Sequence, residues 1–299
     1  MKFPISFLFL LLVLNPLAFA QNNDSLFSRL QAISSNGIDF FNVDGIEITS
    51  ETLPVEFSKK NILRKFRSYE LKENELTYSD STLAFPNYYV LKTIEMCPAV
   101  KQYVSYYLIG NGTKKLTGIT FSASNKNDPA FEKEFIRLIL NNLIPKNIYT
   151  PLQIDSINFA GRKIKLGSVC QWRGINNVQC PNYGQMNWSV HKNLVDASQC
   201  ANDQFYITQA KKFGKVVSEE MVDVIFEGTE IKAKKVIYDF TGITAVITTM
   251  NGANRLIIYY VASPVRQFFV SCVMSFWTID YTNENGLPPL LGEVMQLKK

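Results

Sequence analysis

Three apolar-rich stretches, FPNYYVLKTIEM, VKQYVSYYLIG and KLTGITFSAS, follow one another between Phe85 and Ser124. They are dense in β-branched and aromatic residues, and Asn111-Gly112 separates the last two, which predicts antiparallel strands joined by tight turns. The period then changes. In NDPAFEKEFIRLILNNLIPKN, Phe131, Phe135, Leu138, Ile139 and Leu143 recur at helical spacing on one broad side, behind Asp128 as N-cap and Pro129 at the first helical position. Pro145 ends that helix, and Glu132 and Glu134 are expected on its watered side.

Upstream, Leu26, Phe27, Leu30 and Ile33 form a helical stripe after Asp24 and Ser25, with Gly37 as the stop, so a short helix is predicted there. FFNVDGIEITSETLPVEF carries Asp44-Gly45 between apolar runs and reads as a hairpin. SKKNILRKFRS reads as a helix capped by Ser58, with Ile62, Leu63 and Phe66 on one face and Lys60, Arg64 and Arg67 on another.

The second half repeats the broad order. INFAGRKIKLGSVCQW and QMNWSVHKN predict strands, LVDASQCANDQFYITQAKKFG is partly helical, and EEMVDVIFEGTEIKAKKVIYDF predicts two further strands. ITAVITTMNGANRLIIYYVAS reads as a hairpin turning at Asn251-Gly252, VRQFFVSCVMSFWTID as a long strand, and GLPPLLGEVMQL as a short helix beginning near Pro289. A local echo links PAVKQYVS (98–105) with SPVRQFFVS (263–271), for which duplication and chance likeness between aromatic strands both account. The fold class expected is therefore α+β: antiparallel sheets with helices packed on one face, arranged as two similar tandem halves, 21–147 and 148–299. The seam falls in IPKNIYTPLQID, residues 144–155, where two prolines follow a helix.

The chain opens MKFPISFLFLLLVLNPLAFAQ, a basic Lys2, an apolar run, a break at Asn15-Pro16 and an Ala18-Phe19-Ala20 cleavage pattern. Residues 1–20 are read as a signal peptide, and the mature chain as exported, periplasmic or extracellular, with no transmembrane segment. Charged residues make up 19% of the chain, below the roughly 25% of ordinary domains, and the net charge of +5 is scattered. That pattern lacks the concentrated basic footprint of a nucleic-acid binder.

Export changes how the five cysteines read. In CQWRGINNVQC, Cys170 and Cys180 stand too far apart for the close ligand pairs of a zinc site, and no metal or cofactor is implied. A disulfide among Cys170, Cys180 and Cys200 is expected, with Cys170 to Cys180 preferred; closing so short a loop stabilises by about 3 kcal/mol in the chain-entropy model. Cys272, among Val270, Met274 and Phe276, reads as a buried unpaired thiol.

A single histidine, His191, restricts nucleophilic catalysis, since any Ser–His or Cys–His arrangement must use it. Strand alternation groups it with Ser189, away from Trp188 and Val190, so a solvent-facing position is expected, with a Cys180 or Cys200 thiolate beside it as the sharper alternative. No G-x-S-x-G, P-loop or H-E-x-x-H occurs. Paired carboxylates need no local motif, and none of Glu219, Glu220, Asp80, Asp239 and Asp280 stands out. Lys60, Arg64 and Arg67 are candidate contacts for an anionic ligand, and Tyr88, Tyr103 and Tyr107 a candidate aromatic binding surface. The expected role is an exported, non-catalytic binding or scaffolding protein of the bacterial envelope or exterior, its partner an envelope protein, glycan or lipid headgroup. A secreted glycan hydrolase acting through two carboxylates is the alternative.

Overall fold

Dipeptides that tolerate a left-handed backbone set the first sheet. Asn36-Gly37 and Asp44-Gly45 both take positive φ at both residues, the geometry whose twist matches paired strands. They join β1 (Gln31–Ser35), β2 (Ile38–Val43) and β3 (Ile46–Leu53) into a meander. A second meander, β4 (Asn87–Cys97), β5 (Val100–Gly110) and β6 (Leu116–Ser124), joins it through β3 and β6, giving the order β1-β2-β3-β6-β5-β4, antiparallel throughout. These relations come from a computed structural model that describes residues 25–150, 155–242 and 255–298. The leader (1–20) and the Asn251-Gly252 turn lie outside the described residues, as does part of the seam.

The helix expected to run to Ile33 stops earlier. Residues 25–29 are helical, and Ile33 pairs with Phe40 inside β1. The Asn36-Gly37 turn supplies a ladder of backbone hydrogen bonds that a lone apolar stripe cannot match.

Helices lie on both faces of this sheet, which corrects the one-face expectation. Tyr107 and Ile109 of β5 meet Phe135 and Leu138 of the helix Pro129–Leu140 (here α2), while their neighbour Leu108 meets Ile62 and Phe66 around the helix Lys59–Lys65 (α1). Adjacent strand residues point to opposite sides, so a strand apolar at both parities needs a cover on both.

The second sheet has eight strands among the described residues, in the order β16-β12-β13-β14-β15-β11-β10-β9. They are β9 (Gln171–Gly174), β10 (Asn177–Cys180), β11 (Gly184–His191), β12 (Gly214–Phe226), β13 (Thr229–Phe240), β14 (Arg255–Val265), β15 (Phe268–Trp277) and β16 (Met295–Leu297). The helix Leu194–Ala210 (α3) covers one face, setting Phe205 against Tyr238, Ile258 and Tyr260. The other face packs against the hairpin β7 (Ser156–Phe159) and β8 (Arg162–Lys165) and the short helix Pro289–Gly292 (α4), burying Phe159, Trp188, Phe226, Met274 and Leu291. Each fully buried aromatic or aliphatic side chain of this kind contributes roughly 1.5–3 kcal/mol. The protein is thus mostly antiparallel sheet with a few helices, α+β in the coarse sense. The echo in the sequence maps to the β4–β5 and β14–β15 turns, and the sheets around those turns differ in strand number and order.

Specific polar contacts join the sheets. Asp44, in the β2–β3 turn, donates its backbone N–H to Val190 O of β11 at 3.0 Å. The Asn125 amide donates to Asp203 at 3.0 Å and the Gln31 amide to Asn158 O at 3.2 Å.

Candidate functional site

Cys170 and Cys180 are joined as a disulfide, whereas Cys97, Cys200 and Cys272 are free. The bond closes the β9–β10 hairpin, whose turn places Asn176 in the left-handed region at φ 58°. Asparagine tolerates that conformation better than other residues with a Cβ. The turn is tied down from the next strand but one, because Trp188 of β11 donates its backbone N–H to Asn176 O at 3.0 Å.

Between this hairpin and β1 lies a pocket of about 230 Å³, shared by the two sheets. Gln31 comes from β1, Trp172 from β9, Asn176 from the turn and Trp188 from β11. Four of their polar atoms are buried and without a hydrogen-bond partner: Gln31 Oε1, Trp172 Nε1, Asn176 Nδ2 and Trp188 Nε1. Asn176 and Trp188 are each only 3% exposed. Buried polar groups are nearly always paired, and each one left unpaired costs about 1–3 kcal/mol. All four belong to residues that line the pocket, but as buried atoms they sit behind its accessible surface. No charged side chain lines the pocket among the described residues.

A second cleft, of about 460 Å³, opens on the α3 side of the same sheet. His191, expected to face solvent, is 1% exposed there. The alternation was read from the right face, but α3 and the Asp44-Gly45 turn cover that face, and a Cβ on Gly45 would stand 2.9 Å from His191 Cε1. His191 Nε2 lies 2.7 Å from Ser189 Oγ, which lies 3.6 Å from Cys200 Sγ. Burial pushes the His191 pKa down to about 4, against the pull of Asp44 and Asp196, and pushes the Cys200 thiol up. Both shifts favour neutral forms, the reverse of the thiolate–imidazolium pair that activates a cysteine. His191 Nδ1 has no partner, and Asp44, the nearby carboxylate, is held by Arg29 at 2.9 and 3.0 Å. Asp203, 2% exposed, is held by Gln199 at 2.7 Å and Asn125 at 3.0 Å, with its pKa raised by burial.

The other candidates do not converge. Lys60, Arg64 and Arg67 are exposed, but α1 ends at Lys65 and Arg67 begins a separate 3₁₀ turn, so they share no single helical face. Tyr107, proposed as surface, is 1% exposed and donates to Glu132 Oε2 at 2.9 Å. Its parity on β5 turns it under α2. Tyr103 shares that parity half-buried, while Tyr88, opposite Leu108, lies on the other face and stacks on Phe57 at 5.3 Å. The three tyrosines therefore form no common platform. Glu132, expected in water, is 5% exposed because it sits three and four residues before Phe135 and Ile136 in the buried stripe; Glu134 pairs with Arg137. Glu219 and Glu220 pair across strands with Lys234 and Lys235, Asp80 with Lys133 and Asp239 with Arg255, and Asp280 accepts from Trp277 N. Among the described residues no group of three or more His, Cys, Asp or Glu is placed to hold a metal, and no helix is long and apolar enough to cross a membrane.

Of the pocket residues, Trp172 and Asn176 lie inside the CQWRGINNVQC stretch and Trp188 just after it. Gln31, 141 residues before Trp172 (172 − 31), carries no signal of its own.

No family model and no curated protein matches the sequence. Among solved structures, it overlaps the di-domain ARO/CYC StfQ from the steffimycin biosynthetic pathway at 10% identity and a TM-score of 0.16, covering 88% of this chain and 77% of that one. The di-domain ARO/CYC BexL from the BE-7585A biosynthetic pathway gives 8% identity and a TM-score of 0.15, covering 78% of this chain and 85% of that one. Overlap this low carries no argument about fold or activity.

Proposed function

We propose that this is an exported, non-catalytic binding protein of the bacterial envelope or exterior, which seats a small uncharged polar molecule in the pocket between β1 and the stapled hairpin. The observation that carries this reading is an uncharged pocket of about 230 Å³ beside the stapled hairpin, lined by Gln31, Trp172, Asn176 and Trp188. Small-molecule sites are concave and combine apolar or aromatic walls with a few polar groups, as this lining does. Export is supported by the leader pattern and by the Cys170–Cys180 disulfide, a bond that persists in oxidising compartments. Binding rather than hydrolysis is supported by the lining, which holds no carboxylate among the described residues, and by the neutral state favoured at His191 and Cys200.

Trp172 and Trp188 report on the site directly. Of the three tryptophans only Trp277 lies outside the pocket, so Trp277→Phe leaves two local reporters. The mature Trp277→Phe protein is titrated with panels of uncharged polar compounds, and a saturable shift in tryptophan emission is the expected result. A flat response to every panel refutes the reading.

A further inference from the structure

A polar row interrupts the apolar underside of α2. Ser34 pairs with Asp39, and Asp39 with Ser50, in the ladders of β1, β2 and β3. Two residues along β2, Phe41 pairs with Ile48 and meets the Phe135 ring of α2 at 5.3 Å. Side chains two apart on a strand share a face, so Ser34, Asp39 and Ser50 stand on the side that α2 covers, where the neighbouring rows hold Ala32, Val43, Ile46 and Ile48. All three border a cavity of about 540 Å³, whose lining continues with Leu138, Ile139, Ile144, Lys146 and Tyr149. We infer that this cavity is a second ligand site, separate from the pocket proposed above, and that it takes an ammonium group carrying a short apolar chain, as in a simple amine or a free amino acid.

Asp39 is the anchor. Its carboxylate is half-buried and accepts from the Tyr149 hydroxyl at 3.3 Å. Burial, and after it the Asp39 charge, raises the Tyr149 pKa, so the phenol keeps its proton and acts as a neutral donor. Among the described residues Asp39 makes no ion pair. A carboxylate has room for about four hydrogen bonds and is costly to draw out of water without a counter-charge. An ammonium group brings that charge and three donors, in the stronger charge-assisted form. Ser34 and Ser50 stand in register on either side with hydroxyl acceptors for the remaining N–H groups.

The end of α2 adds to the same field. The helix stops at Leu140, and Leu138, Ile139 and Asn142, the last at φ 53°, line the cavity. A helix C-terminus carries partial negative charge and favours cations nearby. The basic residue of its last turn, Arg137, is held by Glu134 at 2.7 Å. A metal ion is a poorer fit than an ammonium group: the lining holds one carboxylate among its described residues, whereas hard divalent cations collect several oxygen ligands.

The remaining lining sets the rest of the ligand. Phe41, Leu138, Ile139 and Ile144 offer apolar surface to a hydrocarbon chain. At about 540 Å³ the cavity falls inside the roughly 300–1,000 Å³ of small-molecule sites, which leaves room for chain and head group together. Lys146 is the one opposing charge in the described lining. It is exposed and belongs to the 3₁₀ turn that leads into Tyr149, and it makes no ion pair with Asp39. A bare amine meets Lys146 as a weak repulsion, while an amino acid has a carboxylate to offer it, so this residue separates the two sources of the ammonium group.

The test titrates the mature protein by calorimetry with four probes that share a chain and differ in head group: isoamylamine, leucine, isovalerate and isoamyl alcohol. At least one of the two ammonium compounds is expected to bind, the alcohol roughly tenfold or more weaker and isovalerate not at all, with affinity falling as salt screens the charge pair. Asp39→Asn, which keeps the shape and removes the charge, is expected to weaken binding by roughly tenfold or more. Tyr149→Phe, which leaves the carboxylate in place, is expected to retain it, and thermal unfolding of each variant separates lost binding from lost folding. Leucine ahead of isoamylamine, with the lead lost in Lys146→Ala, assigns the site to amino acids; any other order of the two assigns it to amines. Trp172→Ala is expected to change nothing here, because Trp172 lines the other pocket, so the two sites stand or fall separately. Silence from both ammonium compounds, an alcohol that binds as well as they do, or an affinity untouched by Asp39→Asn overturns the inference.

Discussion

Trp188 donates its backbone N–H to the carbonyl of Asn176 at 3.0 Å, and both residues line the same pocket, each with a buried side-chain donor that has no partner. The strand at the centre of the site and the turn of the stapled hairpin are therefore one rigid piece. Whatever loosens the hairpin moves residues that line the pocket.

The disulfide is the first point to perturb. Replacing both Cys170 and Cys180 by Ser is expected to lower stability by about 3 kcal/mol, since the closed loop is short. Urea unfolding of the double variant, and of the native chain with and without reductant, measures this. The same change is expected to blunt the response of the tryptophan reporters. A stability change below about 0.5 kcal/mol would mean that the hairpin holds its shape without the bond.

Gly45 sets the joint between the sheets. It takes φ +76°, and a Cβ would meet His191 Cε1 at 2.9 Å. Gly45→Ala thus combines a disfavoured backbone with a steric conflict, and a loss of about 1–3 kcal/mol is expected. A double-mutant cycle with His191→Ala separates the two: the contact part is relieved in the double variant and the backbone part is not. Full additivity would show that the turn and the imidazole do not press on one another.

Acid should weaken the fold through His191. Its pKa is about 4 in the folded protein against 6.5 for the free side chain, so the unfolded chain binds the proton more readily. Stability from this residue is complete above pH 6.5 and is lost as pH falls toward 4, at up to about 1.4 kcal/mol per pH unit. Glu132 and Asp203, whose pKa values are raised, act in the opposite sense as they take up protons. The comparison that isolates the histidine is therefore native protein against His191→Gln between pH 4 and 7. The variant is expected to lose stability less steeply; parallel curves would refute the assignment.

Much of the fold was legible where the signal is local. Asp44-Gly45 marked a turn, Asp128 and Pro129 marked a helix start, and spacing with export pointed to a disulfide among Cys170, Cys180 and Cys200, of which the preferred pair is the one formed. The failures share a cause. Ile33 fits a helical stripe, yet a hairpin partner recruits it into β1; His191 has polar neighbours, yet α3 and a turn from the other sheet seal it in. Tyr107 and Glu132 each sit on a face whose cover is only decided in three dimensions. The pocket was not legible: CQWRGINNVQC read only as a staple, and Gln31 reaches the cavity from far along the chain.

Glu132 offers a test of that hidden packing. Its carboxylate is buried against Tyr107 Oη at 2.9 Å, and burial raises its pKa. Glu132→Gln removes a charge that is costly to bury while keeping a group that can accept the tyrosine proton. At neutral pH the variant is expected to equal or exceed the native protein in stability, with the advantage shrinking as acid neutralises the native carboxyl. Tyr107→Phe, by contrast, leaves the carboxylate short of a donor and should cost about 1–3 kcal/mol.

Trp172 sets stability and recognition against each other. Its indole N–H is buried without a partner, so in the free protein that group is a liability of about 1–3 kcal/mol. The ring itself is half-buried, which limits the cavity that a smaller ring leaves behind. Trp172→Phe removes the orphan donor and keeps an aromatic face, so the ligand-free variant is expected to melt at or above the native temperature. Ligand reverses the ranking, because the native protein gains a hydrogen bond on binding that the variant cannot form. The ligand-induced rise in melting temperature is therefore expected to be larger in the native protein than in the variant. A purely structural Trp172 predicts something else: a loss of the size seen for an ordinary large-to-small core change, about 2–5 kcal/mol, and an unchanged ligand response. Residues kept for binding cost a fold some stability, and the sign of this one difference decides whether Trp172 is among them.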